Sequence, residues 1–407
     1  MKPITAVVLG AGSRGSIYAG YAKAHPDALQ IVAVAEPRAD RRTMLAQELN
    51  IPHCFESWQA LLAQPRMADC VFVCTMDDDH IGPALRAMEL GYHVLLEKPM
   101  SNTEAQCRQI VDTANRTGRT LAVCHVLRYT PFYMTLKDLI DQGRIGEVTT
   151  INQIENVGYW HQAHSFVRGN WRNTAETSPM ILQKSCHDMD IILWLMGRTC
   201  KRVQSFGSLR HFKPDHAPEG APERCLDGCP HADTCPYYAP RLYMDMNRTG
   251  WPVDVITTDL SENGRRRALE EGPYGRCVYH CDNDVVDRQV VNLEFEGGAV
   301  ATFTMTGFTA DFSRQLKIFG TRGQISADMG TGEIVLHRFG EEKEIVPVDD
   351  GPMRSGHGGG DHGIMHDFLQ ILRQGGESRT SAGISLQSHL ICFAAEKSRK
   401  ENVVVEL

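Results

Sequence analysis

Val7-Val8-Leu9-Gly10-Ala11-Gly12-Ser13-Arg14-Gly15 closes a short apolar run that starts at Ile4, and it sets three glycines at GxGxxG spacing ahead of a helical pattern from Ser16 onward. The run reads as a buried strand, so the chain passes from strand to helix through the glycines. That arrangement binds a dinucleotide. Gly10 permits the tight turn, Gly12 lets the backbone approach a pyrophosphate, and Gly15 lets helix and strand pack closely. The helix start, at Ser13 and Arg14, then faces the anion. A second apolar strand runs from Ile31 to Ala35, and Glu36 stands at its end, 21 residues after Gly15. A carboxylate there accepts hydrogen bonds from a ribose diol and repels a 2'-phosphate, which favours NAD over NADP. Arg38, Arg41 and Arg42 lie close by and weigh the other way.

A length of 407 residues suits two domains, each able to bury a core. Hydrophobic content of 42% and charged content of 23% belong to a globular protein. No apolar run approaches membrane-spanning length, and the early hydrophobic stretch ends in the glycine turn, so it reads as a strand and not a signal peptide. The net charge of -8 gives no general attraction for nucleic acid or anionic lipid. Arg265-Arg266-Arg267 is flanked by Glu262, Glu270 and Glu271 and reads as a solvated surface. Thirteen cysteines without an export signal point to reduced thiols in a cytoplasm, where a metal site is favoured over a disulfide framework.

Strand and helix patterns alternate through a first domain at 1–126, with apolar strands at Ile4 to Leu9, Ile31 to Ala35, Val71 to Thr75, His93 to Glu97 and Leu121 to His125. Alternation means an α/β, doubly wound parallel sheet, a Rossmann domain whose ligand lies beyond the C-terminal strand ends. Gly10, Thr75, Glu97 and His125 then share one crevice, with His80 just beyond Thr75. Residues 127–407 form the second domain, whose texture changes near residue 145. Strand-like runs joined by Glu296-Gly297-Gly298 and Gly320-Thr321-Arg322-Gly323 predict an α+β domain with an open, mainly antiparallel sheet. Helices near Lys184 to Met196 and His362 to Arg373 are expected to cover one face.

Glu97-Lys98-Pro99 ends the fourth strand, so Lys98 projects into the crevice. A lysine beside a pyridinium ring has its ammonium form destabilised and can work as acid or base. A second cluster, Gln183-Lys184-Ser185-Cys186-His187-Asp188-Met189-Asp190, leads into an apolar helix. If that helix begins by Lys184, then Lys184, His187 and Asp188 share one face. Between Trp160 and Arg172 lie His161, His164, Arg168 and Trp171, a loop suited to a sugar ring and an attached anion. Arg128 and Tyr129 follow the fifth strand as further substrate candidates. His357-Gly358-Gly359-Gly360-Asp361-His362 precedes a helix and reads as active-site wall at His357, as a cap at Asp361, or, with His366, as a metal site.

Gly10-x-Gly12-x-x-Gly15, Glu97-Lys98-Pro99 and His187-x-x-Asp190 entering a helix together resemble the Gfo/Idh/MocA oxidoreductases, over essentially the whole chain. The resemblance implies a Rossmann domain, a C-terminal open sheet used in dimerisation or tetramerisation, and sugars or polyols as substrates. It carries Lys98 and His187 over as the catalytic pair. One departure is Gln183, where the family often has aspartate; Lys184 or Asp188 is expected to take over part of that role.

An insertion from about 212 to 285 contains Cys225-Leu226-Asp227-Gly228-Cys229-Pro230-His231-Ala232-Asp233-Thr234-Cys235. A segment this long needs a staple. Cys225, Cys229 and Cys235 can hold tetrahedral zinc if Cys277 or Cys281 supplies a fourth thiolate; an iron-sulfur cluster and free thiols are the alternatives. The leading function is NAD-dependent oxidation of a secondary hydroxyl on a sugar or sugar derivative. The rivals are an NAD-dependent glycosidase that oxidises transiently with no net redox, and a non-enzymatic NAD-binding sensor.

Overall fold

The computed structural model describes residues 2–348 and 357–407. Six strands build a parallel sheet: β1 (Ile4–Leu9), β2 (Leu29–Ala35), β3 (His53–Phe55), β4 (Cys70–Val73), β5 (His93–Leu96) and β6 (Leu121–Val123), in spatial order β3-β2-β1-β4-β5-β6. Most of these strands are apolar along their whole length because helices cover both faces. The strand order reverses beside β1, where chain crossings leave on opposite sides and open a crevice. Within this sheet, β3 is the strand that sequence patterning missed. It is three residues long and partly exposed at the edge, too short to display a period.

Nine more strands form the second sheet: β7 (Val148–Asn156), β8 (Cys200–Ser208), β9 (Arg288–Phe295), β10 (Val300–Thr306), β11 (Ser313–Gly320), β12 (Gly323–Asp328), β13 (Glu333–Arg338), β14 (Glu344–Val346) and β15 (Val405–Glu406). Their order is β14-β13-β12-β11-β7-β10-β9-β8-β15, with only β7 and β10 paired in parallel. The expected α/β architecture with a mainly antiparallel second sheet is therefore present. Helices Pro131–Asp141, Cys186–Met196 and Ala382–Glu401 bury one face of this sheet in the largest apolar cluster, while Ile154, Phe206, Val290 and Val300 on its strands remain exposed. No helix of the described residues is long and apolar enough to cross a membrane.

Two helices near the end of the chain return to the first sheet. Ile364, Met365, Phe368 and Leu369 of helix Gly360–Gln374 enter the β1 cluster. Helix Ala382–Glu401, which the sequence reading did not anticipate, places Ala382 and Leu386 in one core of the first sheet. Further along, its Ile391, Cys392, Ala394 and Ala395 lie in the core of the second sheet. It is buried on so many sides that its polar and apolar residues show little amphipathic period.

A buried ion pair also joins the two sheets. Arg128, in the turn after β6, donates to both carboxylate oxygens of Asp190 at 2.7 Å and to the Arg379 carbonyl at 3.1 Å. Both residues are almost fully buried. Arg128 is thus committed to the fold and not to a substrate. Tyr129 is likewise buried, its hydroxyl against Asp367, Ser378 and Thr380. Removing one member of such a pair strands the other without a partner. Asp190→Ala is therefore expected to lower the unfolding free energy by about 3–5 kcal/mol in urea titrations, and Arg128→Met/Asp190→Leu to lower it by much less.

Candidate active site

The glycine turn leaves room in one place only. A Cβ on Gly10 would lie 2.4 Å from the Cys74 carbonyl oxygen, and one on Gly15 would lie 1.9 Å from that of Gly10. At Gly12 the nearest atom is Arg41 Nη1 at 3.7 Å, so the open side of the turn is the side a pyrophosphate needs. Helix Ser13–Ala24 begins at Gly12 with no side-chain cap and no acidic residue in its first turn. Its first amides therefore remain available to an anion. Glu36 is buried at the end of β2, one carboxylate oxygen accepting from Ala11 N at 2.8 Å and the other from Arg38 N at 3.0 Å. Two of the nearby arginines are engaged elsewhere: Arg38 with Asp40, and Arg42 with the Glu36 carbonyl. These residues fit NAD.

Arg14 departs from its expected place at the pyrophosphate. Its guanidinium bonds Glu97 at 2.7 Å, Asp361 at 2.5 Å and the Tyr18 hydroxyl, binding the helix start to the turn at 357–361. Asp361 therefore serves as an ion-pair partner and not as a helix cap, and Arg14 and His357 help hold its carboxyl below the ordinary range although burial opposes this. Burial likewise opposes the ionised form of Glu97, yet Arg14 and Lys98 hold its carboxyl low. His80 is buried, with its ring nitrogens 2.7 Å from the Pro99 carbonyl oxygen and 3.1 Å from that of Thr75. It ties the end of β4 to the Lys98 loop.

Lys98 and His187 come from different sheets and meet in the crevice. The Lys98-Pro99 peptide is cis. Lys98 Nζ donates to the Gln183 carbonyl oxygen at 2.7 Å, across the division between the sheets. The contact uses the backbone of Gln183, so it does not require the aspartate side chain often found there. His187, 7% exposed, is pushed well below its ordinary range by burial first and then by its neighbours Lys98, His125, Arg314 and His357. It is therefore a neutral imidazole with a free lone pair. Its Nδ1 is buried and has no protein partner. His125 packs edge-on to it with ring centroids 5.7 Å apart, and His357 lies 6.3 Å away on the other side.

Lys184 and Asp188 behave differently from the expected helix face. The helix breaks at Ser185, between Met180–Gln183 and Cys186–Met196, so Lys184 belongs to neither segment's continuous surface. Its ammonium pairs with buried Glu155 at 3.1 Å, and burial lowers its proton affinity. Asp188 turns toward the sheet, accepting from Gln153 Nε2 at 2.6 Å and Arg314 Nε at 2.8 Å. Arg314 also lies 2.8 Å from Glu155. Asp188 is thus spent on a buried network across β7 and β11. Sequence gave no hint of Arg314 or Glu155, because each reads as an ordinary strand charge until the register places them together.

The segment at 159–172 divides. His161 stays near the crevice, pushed well below its ordinary range by burial and then Lys184, and it packs against Trp160, Trp251 and Phe312. His164 faces the insertion instead, bonded to the Tyr243 hydroxyl at 2.7 Å and stacked on Tyr274. Trp171 donates toward Asp77, and Arg172 pairs with Asp282. Arg168 is buried beside the cysteines, and it also lines a second cavity with Tyr159 and Trp160. Cys225, Cys229, Cys235 and Cys277 do line one cavity, of about 20 Å3. Among the described residues, however, no group of three or more His, Cys, Asp or Glu side chains stands ready to hold a metal ion, which also leaves the His357, His362 and His366 alternative without support.

Comparison with known proteins agrees with this architecture. Residues 4–125 match the model of an oxidoreductase family described as an NAD-binding Rossmann fold, and residues 137–407 match that family's C-terminal alpha/beta domain. The chain belongs to the Gfo/Idh/MocA oxidoreductase family. YteT of Bacillus subtilis, an oxidoreductase by name, is 25% identical over 317 residues, 74% of this chain and 72% of its own. D-glucoside 3-dehydrogenase of Escherichia coli is 31% identical over 160 residues, 39% of this chain and 45% of its own. The solved structure of levoglucosan dehydrogenase, a complex with NADH and L-sorbose, covers 100% of this chain and 99% of its own at a TM-score of 0.74 and 17% identity, a likeness of fold.

Five buried histidines make the fold sensitive to acid. Burial lowers the pKa of His125, His161, His164, His187 and His389, and it takes His164 and His389 to about 3. The unfolded chain protonates them near pH ~6.5, so below that value it binds more protons than the native state and stability falls as pH falls. Each histidine contributes up to about 1.4 kcal/mol per pH unit in that window. Urea midpoints are expected to decline steeply from pH ~6.5 toward pH ~4, with proton uptake on unfolding measurable by calorimetry in buffers of different ionisation heat.

Proposed function

We propose that the chain is an NAD-dependent oxidoreductase that takes a hydride from a secondary hydroxyl of a sugar, polyol or sugar derivative. The observation that carries this reading is the Lys98 ammonium, anchored across the crevice on the Gln183 carbonyl beside an imidazole kept neutral by its surroundings. NAD, when bound, supplies the hydride acceptor. Lys98 donates a hydrogen bond that fixes the hydroxyl oxygen, and His187 accepts its proton. Trp160 and Trp251, with ring centroids 5.3 Å apart next to His161, offer an apolar face to a sugar ring. The names of the relatives fit the same substrate class. The exposed Ile154, Phe206, Val290 and Val300 on the open sheet suit a homodimer or homotetramer.

The redox-neutral glycosidase reading needs further acid and base groups for elimination and hydration. Of the acid and base candidates Lys98, Lys184, His187 and Asp188, Lys184 and Asp188 are held in ion pairs. The dehydrogenase reading is preferred for that reason.

A panel of sugars, polyols and glycosides is expected to reduce NAD to NADH with wild-type protein. Lys98→Met and His187→Ala are each expected to lower kcat by about 10²–10⁴ while cofactor affinity, read by fluorescence, stays near the wild-type value. Sugar release that needs NAD without accumulating NADH would overturn the assignment in favour of the glycosidase. Replacing Glu36 by Ala removes two backbone anchors and the carboxylate that rejects a 2'-phosphate. Its KM for NAD is expected to rise about 10- to 100-fold, with NADP gaining relative to NAD.

A further inference from the structure

The insertion at 212–285 surrounds a charge that the protein does not otherwise balance. Arg168 is 1% exposed, and its guanidinium donates to the carbonyls of Arg276 and Tyr237, each at 2.7 Å. Among the described residues no carboxylate lies within ion-pair distance of it. Arg265, elsewhere in the insertion, is buried on carbonyls alone in the same way, but Arg168 differs in facing a cavity, where an anion would offset the cost of burying its charge. The one other partner of Arg168 is the Cys225 sulfur, 3.7 Å from Nη2. Ala239 N donates to the same sulfur at 3.5 Å. Two N–H donors thus point at one sulfur, which lies against the same cavity.

Three more thiols face the same space. Cys229 and Cys235 follow Cys225 in one turn-rich stretch, and Cys277 arrives from the far end of the insertion. Backbone bonds bring the two ends together: Cys225 N donates to the Gly275 carbonyl at 2.9 Å, and Cys277 N to that of Glu223 at 2.8 Å. None of the four is in a disulfide. The cavity they line is small, about 20 Å3, the size of a single ion.

We propose that Cys225, Cys229, Cys235 and Cys277 bind one soft divalent cation, zinc by preference, as a tetrathiolate centre whose negative charge is balanced by Arg168. Four thiolates around a divalent ion leave a net charge of about -2, and a guanidinium hydrogen-bonded to one sulfur offsets part of it. The thiols do not converge at ligating distance in this structure, so binding draws them together. The four protons of the thiols pass to solvent as the ion binds. The centre lies apart from Lys98 and His187, so its existence does not depend on the catalytic reading. Its role is to order an insertion whose own two apolar clusters are small, and which delivers Trp251 to Trp160 and His161.

Metal and sulfide analysis of full-length protein purified without chelator tests this directly. About one zinc per chain is expected, without stoichiometric iron or acid-labile sulfide. Cys225→Ser and Cys277→Ser are expected to lose it, whereas Cys281→Ser and Cys54→Ser keep it. Cobalt exchanged into the wild-type protein should show sulfur-to-cobalt charge transfer and the intense visible bands of a tetrahedral site, a readout independent of whether the serine variants fold. Arg168→Leu is expected to release zinc to a competing chelator about 10- to 100-fold more readily, with Arg168→Lys intermediate. Less than about a tenth of an equivalent of metal, stoichiometric iron with sulfide, or metal retained by both Cys225→Ser and Cys277→Ser would each overturn the proposal.

Discussion

Helix Ala382–Glu401 is packed by both hydrophobic cores at once, and the crevice exists because of it. One end fills the first sheet's cluster and the other fills the second's, so neither sheet can shift against the other without opening apolar surface to water. Polar contacts then fix what the packing allows. His389 of this helix accepts from Met100 N at 2.9 Å while its Nδ1 faces the Ser385 carbonyl at 2.7 Å. The bond partners settle its tautomer, with the proton on Nδ1. The Lys98 loop is therefore held from the second sheet's side as well as by His80, and Lys98 reaches Gln183 with little freedom left to lose.

Electrostatics in the crevice are arranged by exclusion. Four buried carboxylates around the crevice are each claimed by an arginine: Glu97 and Asp361 by Arg14, Asp190 by Arg128, Asp188 by Arg314. A histidine beside an unclaimed carboxylate would rise in proton affinity and spend its lone pair. Here burial first, and then cationic neighbours such as Lys98 and Arg314, keep the His187 ring neutral and able to accept a proton. The paired arginines therefore act on the chemistry without touching a ligand, and they explain why so many buried ions stand in so small a volume.

The sequence made the glycine turn, Glu36, Lys98 and His187 legible because each sits at a fixed offset from a strand or helix end, and local pattern encodes those ends well. It misplaced Arg14, Arg128, Tyr129, Lys184 and Asp188 for a shared reason. Each was judged by its neighbours in the chain, while its partner is 60 to several hundred residues away or, for Lys184, depends on a helix break at Ser185. Charge-pairing choices are tertiary facts. The same blindness hid helix Ala382–Glu401, whose burial on several sides erased the amphipathic period that marks a surface helix.

The insertion follows from the topology of the sheet that carries it. It leaves β8 and returns in β9, two strands that pair antiparallel along most of their length, so its two ends are already neighbours. Asp287 closes the neck, one carboxylate oxygen accepting from Arg210 N at 2.8 Å and His211 N at 2.7 Å. A hairpin neck sealed in this way decouples what lies beyond it from the sheet, and a long excursion there adds little loop-closure entropy. What it does not receive is a share of either large core. What orders the excursion comes from within it and from the segments it leans on, chiefly 159–172, with smaller contacts to Asp40 and Phe308, and buried Arg168 is where the insertion and 159–172 meet.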